Sequence, residues 1–414
     1  MIMYVKFLVF NLLYMKYTVI FSFIFLFSLL SCQSQQTILS ESDIVVDLDH
    51  LKETNIEYYS SYFDGGGIIA LETTDKSLLG QIEKMCVSND YFFILDNSGV
   101  LVFRKDGKYL RHISKCGNGP GEYNRLSDIT IDDKNREIFL LDATKRCILV
   151  YDYENNYKRI IPLADKSFSS KFMYHDGALF FNTIGSHGLD KNWLLGRMEL
   201  DENNETTYYL DADELNKGWY NLYYTDQQTF IPSAFGSPLF MQIFMDKIFR
   251  FEKGTPKPYI SIYSESFPTK TFISDLNTGN ISQELMESDY YYSMFDYVEN
   301  EMFFSLKLNK GMTTKTLIHN KQTSVSYLVN MFFNDVLYTD EDASYIISSF
   351  DATDKNCVYT IEGESMFARQ LLLENLEKGK INNEMNGYEN LRALNDDEAN
   401  PIIIYYNFKN NESF

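Results

Sequence analysis

Short apolar runs separated by turn residues recur along most of the chain. The clearest are DIVVDL from Asp43, YFFILD from Tyr91, GVLVFR from Gly99, EIFLLD from Glu137 and CILVYD from Cys147. Such runs, spaced by about 8 to 12 residues, are typical of a β-sandwich, a β-barrel or a β-propeller. They are rich in Val, Ile, Phe and Tyr, which favour strands. The pattern therefore predicts an all-β protein.

Two groups of these runs repeat one another. The segment Ile94–Asp96 aligns with Leu140–Asp142 at an offset of 46 residues, and Leu101–Phe103 aligns with Leu149–Tyr151 at an offset of 48. A period of this size that carries about four strands is the signature of a propeller blade. A sandwich has no such repeat, so the sequence favours a propeller.

The polar residues between the runs have structural interpretations. We expect Asp96 and Asp142, at the ends of equivalent strands, to bond into the turns that follow them. Binding of a ligand at a channel mouth is the alternative role for both. The glycine-rich segment GNGPGEY, residues 117–123, predicts a tight crossing between two blades. A phosphate-binding loop does not fit, because neither Lys-Ser nor Lys-Thr follows and no helix is predicted there.

The repeat continues less clearly to the end of the chain and suggests six blades. Residues 43–414 are therefore predicted to form one domain, with insertions in several blades. The best helix is SMFARQLLLENLEK, residues 365–378, which is followed by Gly379. We expect it to pack as a cap on the propeller; binding a partner is the alternative. The strand near residues 400–406 is predicted to close the ring by pairing with residues 44–48.

Residues 117–161 resemble an NHL-type propeller repeat. More closely, they resemble the six-bladed β-propeller lipoproteins of unknown function found in Bacteroidota, through the GPGEY loop, the DITID strand and the ILD-like strand ends. The segments GGGIIALETTDKSLLGQI and NPIIIYY resemble the first blade and the closing strand of that family. The resemblance implies the fold and carries no catalytic signature. One departure is Arg146, which lies one position short of the usual NHL arginine.

The N-terminal 31 residues predict a signal peptide. Lys6 and Lys16 are their only charged residues, an apolar run extends from Tyr17 to Leu30, and Leu-Leu-Ser then precedes Cys32. This ending resembles a bacterial lipobox, which implies lipidation of Cys32 and a tether over residues 32–42. An uncleaved membrane anchor is the alternative, although the run is shorter than the ~20 residues that span a bilayer. We expect an outer-membrane lipoprotein of the cell envelope, with the membrane face left open.

Charge narrows the range of partners. The chain has 37 Lys and Arg against 58 Asp and Glu, a net charge of −21. Nucleic acid is not an expected partner, because phosphate binding depends on basic patches. An acidic body is repelled by anionic lipid, so the lipid at Cys32 is the predicted link to the membrane.

Motifs for metal or catalytic chemistry are scarce. Beyond Cys32 the cysteines are Cys86, Cys116, Cys147 and Cys357, which lack metal-ligand spacing. We expect them to be buried free thiols; disulfides are the alternative, with three connectivities for four cysteines. His175 and His187 are the only pair of histidines predicted to share one blade. Neither GxSxG nor HExxH occurs, so no cofactor is predicted.

Two classes of function remain open. Clustered aromatic residues, represented by Trp219, Tyr223 and Tyr291, are candidates for stacking on a ligand, and propeller core is their alternative role. The first hypothesis is a lipid-anchored binding or scaffolding module for a glycan, a peptide or an envelope protein. The second is a propeller-type hydrolase or lyase with a divalent ion at the axis, held by carboxylates, amides or histidines from several blades.

Overall fold

The structure is a computed structural model. It describes residues 42–163, 168–183, 191–201, 204–219, 229–232, 237–276, 279–343 and 349–409. Cys32 lies outside these residues, so the signal peptide, the lipidation and the tether stay predictions. Among the residues that are described, no helix has both the length and the apolarity needed to cross a membrane.

The described strands form six sheets, and each sheet is one blade of a β-propeller. The described part of the chain begins with three strands that join blades 4, 5 and 6: β1 (Ile44–Asp47), β2 (Lys52–Tyr58) and β3 (Phe63–Ala70). Blade 1 follows with β4 (Ile82–Val87), β5 (Tyr91–Asp96), β6 (Gly99–Arg104) and β7 (Tyr109–Ile113). Blade 2 contains β8 (Asp128–Asp132), β9 (Glu137–Asp142), β10 (Cys147–Asp152) and β11 (Tyr157–Pro162).

The later blades keep this four-stranded plan, with β1 and β2 as a fifth strand in blades 4 and 5 and β3 as the fourth strand of blade 6. Blade 3 contains β12 (Phe168–His175), β13 (Ala178–Thr183), β14 (Trp193–Glu199) and β15 (Thr206–Asp211). Blade 4 contains β16 (Phe230–Ile231), β17 (Leu239–Phe240), β18 (Lys247–Glu252) and β19 (Thr255–Tyr263). Blade 5 contains β20 (Tyr291–Glu299), β21 (Phe303–Lys310), β22 (Thr313–Asn320) and β23 (Val325–Phe333). Blade 6 contains β24 (Ala352–Thr353), β25 (Cys357–Glu362) and β26 (Ile402–Phe408). The predicted six-bladed, all-β propeller is confirmed.

The apolar runs of the middle strands reflect burial on both faces. In β5, Phe93 and Leu95 pack toward blade 2, in a cluster that includes Ile129 and Leu140. The alternate residues of β5 pack toward blade 6, in a cluster that includes Ile403. Because each blade is covered by a neighbour on each side, continuous apolar sequence replaces the alternation of a half-exposed strand.

The N-terminal segment Ile44–Ala70 follows the outer edges of three blades in turn. Strand β1 pairs in parallel with β19, and β2 pairs in parallel with β23. Strand β3 then pairs antiparallel with β26 and becomes the outer strand of blade 6. The prediction that residues 44–48 pair with the last strand is therefore wrong. Strand β3 takes that position instead. Gly66 allows β3 to approach β26 closely, because a Cβ at this position would collide with the carbonyl oxygen of Tyr405.

The predicted turn aspartates, Asp96 and Asp142, are buried, and their carboxylates accept several hydrogen bonds. Asp96 accepts hydrogen bonds from the Ser98 and Gly80 N–H groups, both at 2.7 Å. Asp142 accepts a hydrogen bond from the Thr144 hydroxyl at 2.6 Å. Like Asp96, it also accepts hydrogen bonds from backbone N–H groups that precede and follow its strand, here those of Asn124 and Lys145. Burial alone would raise the pKa of Asp142, but these hydrogen bonds lower it below its usual range. The turn role is confirmed for both residues.

Four described α-helices lie outside the sheets. They are α1 (Ala212–Leu215), α2 (Lys270–Asp275), α3 (Ile281–Glu287) and α4 (Met366–Glu377). The short 3-10 helices are Leu48–His50, Tyr59–Ser61, Glu341–Ala343 and Tyr388–Asn395. Helix α4 confirms the predicted helix: the Ser365 hydroxyl caps it by accepting the Ala368 N–H at 3.1 Å. Leu372 packs into the cluster shared by blades 5 and 6, as expected for a cap.

The four cysteines within the described residues are free thiols. Cys147 is buried, and Cys86 and Cys357 are partly buried, which agrees with the expected free thiols in strands. Cys116 is exposed, so the expectation of burial is wrong for that residue. It lies directly before the blade-crossing loop and outside the strands of blades 1 and 2.

Candidate functional site

The inner strands of the six blades surround a central channel of about 930 Å³. These strands are β4, β8, β12, β16, β20 and β24. Paired contacts show that three of them run parallel. Lys84 and Cys86 of β4 bond Asp128 and the Ile129 carbonyl of β8, in the same order along both strands. Likewise, Asp128 and Thr130 of β8 accept the Phe172 and Tyr174 N–H groups of β12. One end of the channel therefore gathers the residues that begin these strands, and the other end gathers those that finish them.

The two ends differ in chemistry. The end where the strands begin, which we call the polar mouth, carries Glu83, Lys84, Asp128 and Lys171. The opposite end is lined by residues late in the strands, which are mainly apolar or aromatic: Val87, Ile131, Tyr174, His175 and Pro232. A ligand at the polar mouth would therefore meet charged groups.

An ion pair joins blades 1 and 2 at the polar mouth. The Lys84 amine lies 2.7 Å from Asp128 Oδ1, and the Asp128 side chain is only 1% exposed. Burial by itself lowers the pKa of Lys84, but the Asp128 carboxylate outweighs it and raises that pKa. Asp128 also accepts its own strand's Ile129 N–H. With these partners, the pair holds the inner strands in register.

A second ion pair lies in blade 5. Asp296 Oδ2 is 2.7 Å from the Lys307 amine, and the two side chains are 2% and 10% exposed. Asp296 has a φ of 54°, in the left-handed region, at a shift of register between β20 and β21. This backbone conformation costs free energy in a residue other than glycine. It places the Asp296 carboxylate where it also accepts the Phe350 N–H at 2.8 Å.

Carboxylates dominate the channel wall near blade 6. Asp351 precedes β24 and accepts the Ile361 N–H at 2.6 Å, while Glu364 accepts the Ile82 N–H of blade 1 at 2.9 Å. Asp351 is exposed to the channel, but the protein atoms that surround the channel desolvate its carboxylate and raise its pKa to about 7. The negative charges of Glu362, Asp296 and Glu364 add to that effect. This wall therefore carries a concentrated negative field.

A smaller cavity of about 60 Å³ lies between blade 5, blade 6 and the N-terminal segment. We call it the side cavity. Tyr59, Phe63 and Phe332 supply aromatic rings, and Glu362 and Lys307 supply charge. The side cavity and the channel share two lining residues, Asp296 and Phe350. These two residues form the boundary between the cavities.

Two of the three predicted aromatic candidates, Trp219 and Tyr291, are not among the described residues that line the channel. Tyr291 is 6% exposed and belongs to the core cluster of blades 3, 4 and 5. Trp219 is partly buried and packs edge-on against Phe244 at a centroid distance of 5.3 Å, in a different cluster. Tyr223 lies outside the described residues. The structure therefore does not bring Trp219 and Tyr291 together.

The described histidines and carboxylates do not form a metal-binding group. In the part of the chain that the structure describes, no group of three or more His, Cys, Asp or Glu side chains could hold a metal ion. His175 lines the channel, and burial lowers its pKa. His187, its predicted neighbour in the blade, falls within 184–190, which the structure does not describe.

Sequence reasoning missed the residues that give the channel its charge. Asp296 interrupts the apolar run YYSMFDYV, and an acid at such a position was a usable signal. Asp351 lies in FDATD and resembles an ordinary turn aspartate. Glu362 and Glu364 flank Gly363 before the helix and are equally inconspicuous. Only the closure of the ring brings these four acids together.

The fold has known counterparts. It is similar to the crystal structure of a candidate exported protein from Bacteroides fragilis, with 18% sequence identity and a TM-score of 0.68, over 88% of this chain and 100% of that chain. A member of the DUF4221 family from Bacteroides vulgatus matches with 10% identity and a TM-score of 0.46, over 84% of this chain and 97% of that chain. At 18% identity, the likeness to the Bacteroides fragilis structure shows the fold alone.

No curated protein matches the sequence. The expected relationship to propellers of unknown function is nevertheless confirmed at the level of the family. Residues 43–407 match the model of the family described as a domain of unknown function, DUF4934, and the chain therefore belongs to that family.

Proposed function

We propose that this protein is an exported, lipid-anchored propeller that binds a ligand in its central channel. The channel is the observation that carries the proposal. Its volume of about 930 Å³ is at the upper end of the range of about 300–1,000 Å³ for small-molecule sites. A glycan, a peptide or a segment of an envelope protein would fit a binding function of this kind.

The polar mouth supports recognition of such a ligand. Glu83, Asp351 and Glu364 are exposed there, and each lines the channel. Met366 and Phe367 follow Glu364 closely and are 84% and 75% exposed. Exposed apolar side chains beside charged groups are typical of surfaces that bind amphipathic ligands.

Placement in the cell envelope has separate support. The predicted lipobox at Cys32 would anchor the chain to a membrane. The similar protein from Bacteroides fragilis is itself described as a candidate exported protein. An outer-membrane lipoprotein that presents its channel to the periplasm or to the medium is consistent with both.

The proposal can be tested by blocking the channel. A soluble form that begins at Gln33 is screened against glycans and peptides by thermal shift, since a ligand of the folded state raises the melting temperature. Glu83→Trp places a large side chain in the channel. Glu384→Trp is the matched control, because Glu384 is exposed and does not line the channel.

We expect a compound that stabilises the parent protein and the Glu384→Trp variant, and fails to stabilise Glu83→Trp. Equal stabilisation of all three proteins would place the binding site elsewhere and contradict the proposal. Circular dichroism of each variant establishes that the propeller is folded before binding is compared.

A further inference from the structure

Three large apolar side chains lie exposed close to the polar mouth. Met366 and Phe367 lie in the first turn of α4 and are 84% and 75% exposed, and Leu78, in the segment that enters blade 1, is 53% exposed. Contact with water disfavours such exposure. Large exposed apolar groups that are bordered by polar residues mark sites of interaction.

A hydrogen bond joins the two segments that carry these side chains. Glu364 directly precedes the cap of α4, and its Oε1 atom accepts the Ile82 N–H of β4 at 2.9 Å. Residues 78–83, which enter blade 1, and residues 364–367, in blade 6, therefore lie beside each other on the rim of the channel. We call the surface that they form the mouth patch. It consists of Leu78, Glu83, Glu364, Met366 and Phe367.

The mouth patch borders a negatively charged channel. In the described part of the chain, the channel lining includes five carboxylates and two amines. Two of these carboxylates, Asp128 and Asp296, are paired with lysines, and the other three, Glu83, Asp351 and Glu364, leave the lining negative. The chain as a whole has a net charge of −21. These charges attract a cationic partner and repel an anionic one.

We propose that the mouth patch docks a polypeptide segment of a partner protein in which Lys or Arg alternates with apolar residues. This inference rests on the proposed function, because the basic side chains enter the channel, and it narrows the ligand to a protein segment. The apolar residues of the segment cover Leu78, Met366 and Phe367, and its cations face Glu83 and Glu364. Methionine side chains suit this role because they adapt to apolar groups of different shape.

Other occupants match the mouth patch less well. A neutral glycan offers no positive charge to Glu83 and Glu364. A second copy of this chain presents the same acidic mouth and is repelled by it. The combination of exposed apolar side chains with carboxylates therefore favours a basic, amphipathic segment.

Three synthetic peptides of about ten residues test this chemistry. In the first, Lys alternates with Leu and Phe. In the second, Glu replaces each Lys, and in the third, Ser replaces each Leu and Phe. Fluorescence anisotropy measures the binding of each labelled peptide to the soluble form that begins at Gln33. We expect the first peptide to bind at least about tenfold more tightly than either of the others, because it alone supplies both charge and apolar surface.

An apolar substitution locates the docking surface. Phe367→Ala removes the largest apolar group of the mouth patch and should weaken binding of the first peptide about tenfold. Ile160→Ala is the matched control, because Ile160 is 51% exposed in β11, the outer strand of blade 2. We expect this control to bind the peptide like the parent protein.

A substitution of charge locates the cations. Glu364→Gln keeps an oxygen for the Ile82 N–H and removes the negative charge, so the first peptide should bind about threefold more weakly and with a smaller dependence on salt. Phe367→Ala should leave the salt dependence unchanged. Glu252→Gln is the matched control, since Glu252 is exposed at the end of β18 and does not line the channel.

The outcomes separate this inference from the proposed function. Equal affinity for the basic and acidic peptides would overturn the inference, as would equal losses in Phe367→Ala and Ile160→Ala. If the peptides fail these tests while a neutral compound binds in a manner sensitive to Glu83→Trp, the channel function stands and only the docked segment fails. Peptide binding that is weakened by Phe367→Ala yet unchanged in Glu83→Trp supports the mouth patch and overturns the channel as the ligand site.

Sedimentation velocity tests the remaining occupant. A parent protein that sediments as a dimer, and that Phe367→Ala converts to a monomer, would assign the mouth patch to a second copy of the chain and overturn the inference. We expect the parent protein and Phe367→Ala to sediment alike.

Discussion

Asp296 accepts a hydrogen bond from the Phe350 N–H at 2.8 Å and thereby links the inner strand of blade 5 to the chain entering blade 6. The same carboxylate pairs with Lys307. A residue with left-handed backbone, placed between two blades and two cavities, is thus held by partners on both sides. Its environment leads to the first prediction.

Removing the charge of Asp296 should destabilise the propeller. Asp296→Asn keeps an oxygen for the Phe350 N–H but removes the negative charge that lies 2.7 Å from the buried Lys307 amine. Breaking comparable buried ion pairs costs about 3–5 kcal/mol. The free energy of unfolding is measured by urea denaturation. The double variant Asp296→Asn with Lys307→Met should recover most of the loss. If the double variant is as unstable as the single one, the ion pair is not the source of the effect.

Closure of blade 6 depends on a close approach of β3 to β26. Gly66→Ala should destabilise the fold by about 3 kcal/mol, because the new Cβ would collide with the Tyr405 carbonyl. Gly65→Ala is the matched control: nothing lies within 4 Å of its Cβ, and its φ of 74° alone should cost about 1 kcal/mol. Thermal and urea unfolding compare the two. A smaller loss for Gly66→Ala than for Gly65→Ala would contradict this pairing.

Asp351 should make stability depend on pH. Its pKa rises from 3.8 to about 7 on folding, so between these values the unfolded chain releases a proton that the folded chain keeps. Its contribution to stability therefore falls as pH increases through this window and is constant above it. In Asp351→Asn this decline should be absent, so the melting temperature of the variant relative to the parent should rise from pH 4 to pH 8.

A matched variant isolates the effect of Asp351. Asp106→Asn changes an exposed aspartate in the turn between β6 and β7 and should leave the pH profile unchanged. Parallel profiles of Asp351→Asn and the parent protein would show that desolvation in the channel and the neighbouring acids do not act on Asp351 as described.

Lipidation of Cys32 predicts the distribution of the protein between membrane and soluble fractions. Cys32→Ser should release the chain from membranes, because stable anchoring requires more than one acyl chain and all of them depend on this cysteine. Cys116→Ser changes an exposed thiol of the propeller and should leave the chain attached. Fractionation followed by immunoblotting measures both. Membrane retention of Cys32→Ser would refute the lipobox.

The repeated blades could be predicted because their information is local. The equivalent segments Ile94–Asp96 and Leu140–Asp142 end the second strands of blades 1 and 2, and each aspartate bonds backbone groups within about 20 residues of itself. Helix α4 was predictable for the same reason, since its N-cap Ser365 and the terminating Gly379 lie next to the two ends of the helix in sequence. Strands, turns and blade period therefore follow from short-range pattern.

The path of the N-terminal segment and the charge of the channel follow only from tertiary structure. Ile44 pairs with Ile260, and Gly66 with Tyr406, across separations that local patterns do not encode. Asp351 resembles a surface aspartate until ring closure sets Glu364 and Asp296 near it. By itself, then, the sequence determined the propeller and its predicted membrane address, because both depend on local pattern. The tertiary structure decided where the ring closes and which acids face the cavities, because burial and distant partners fix those properties.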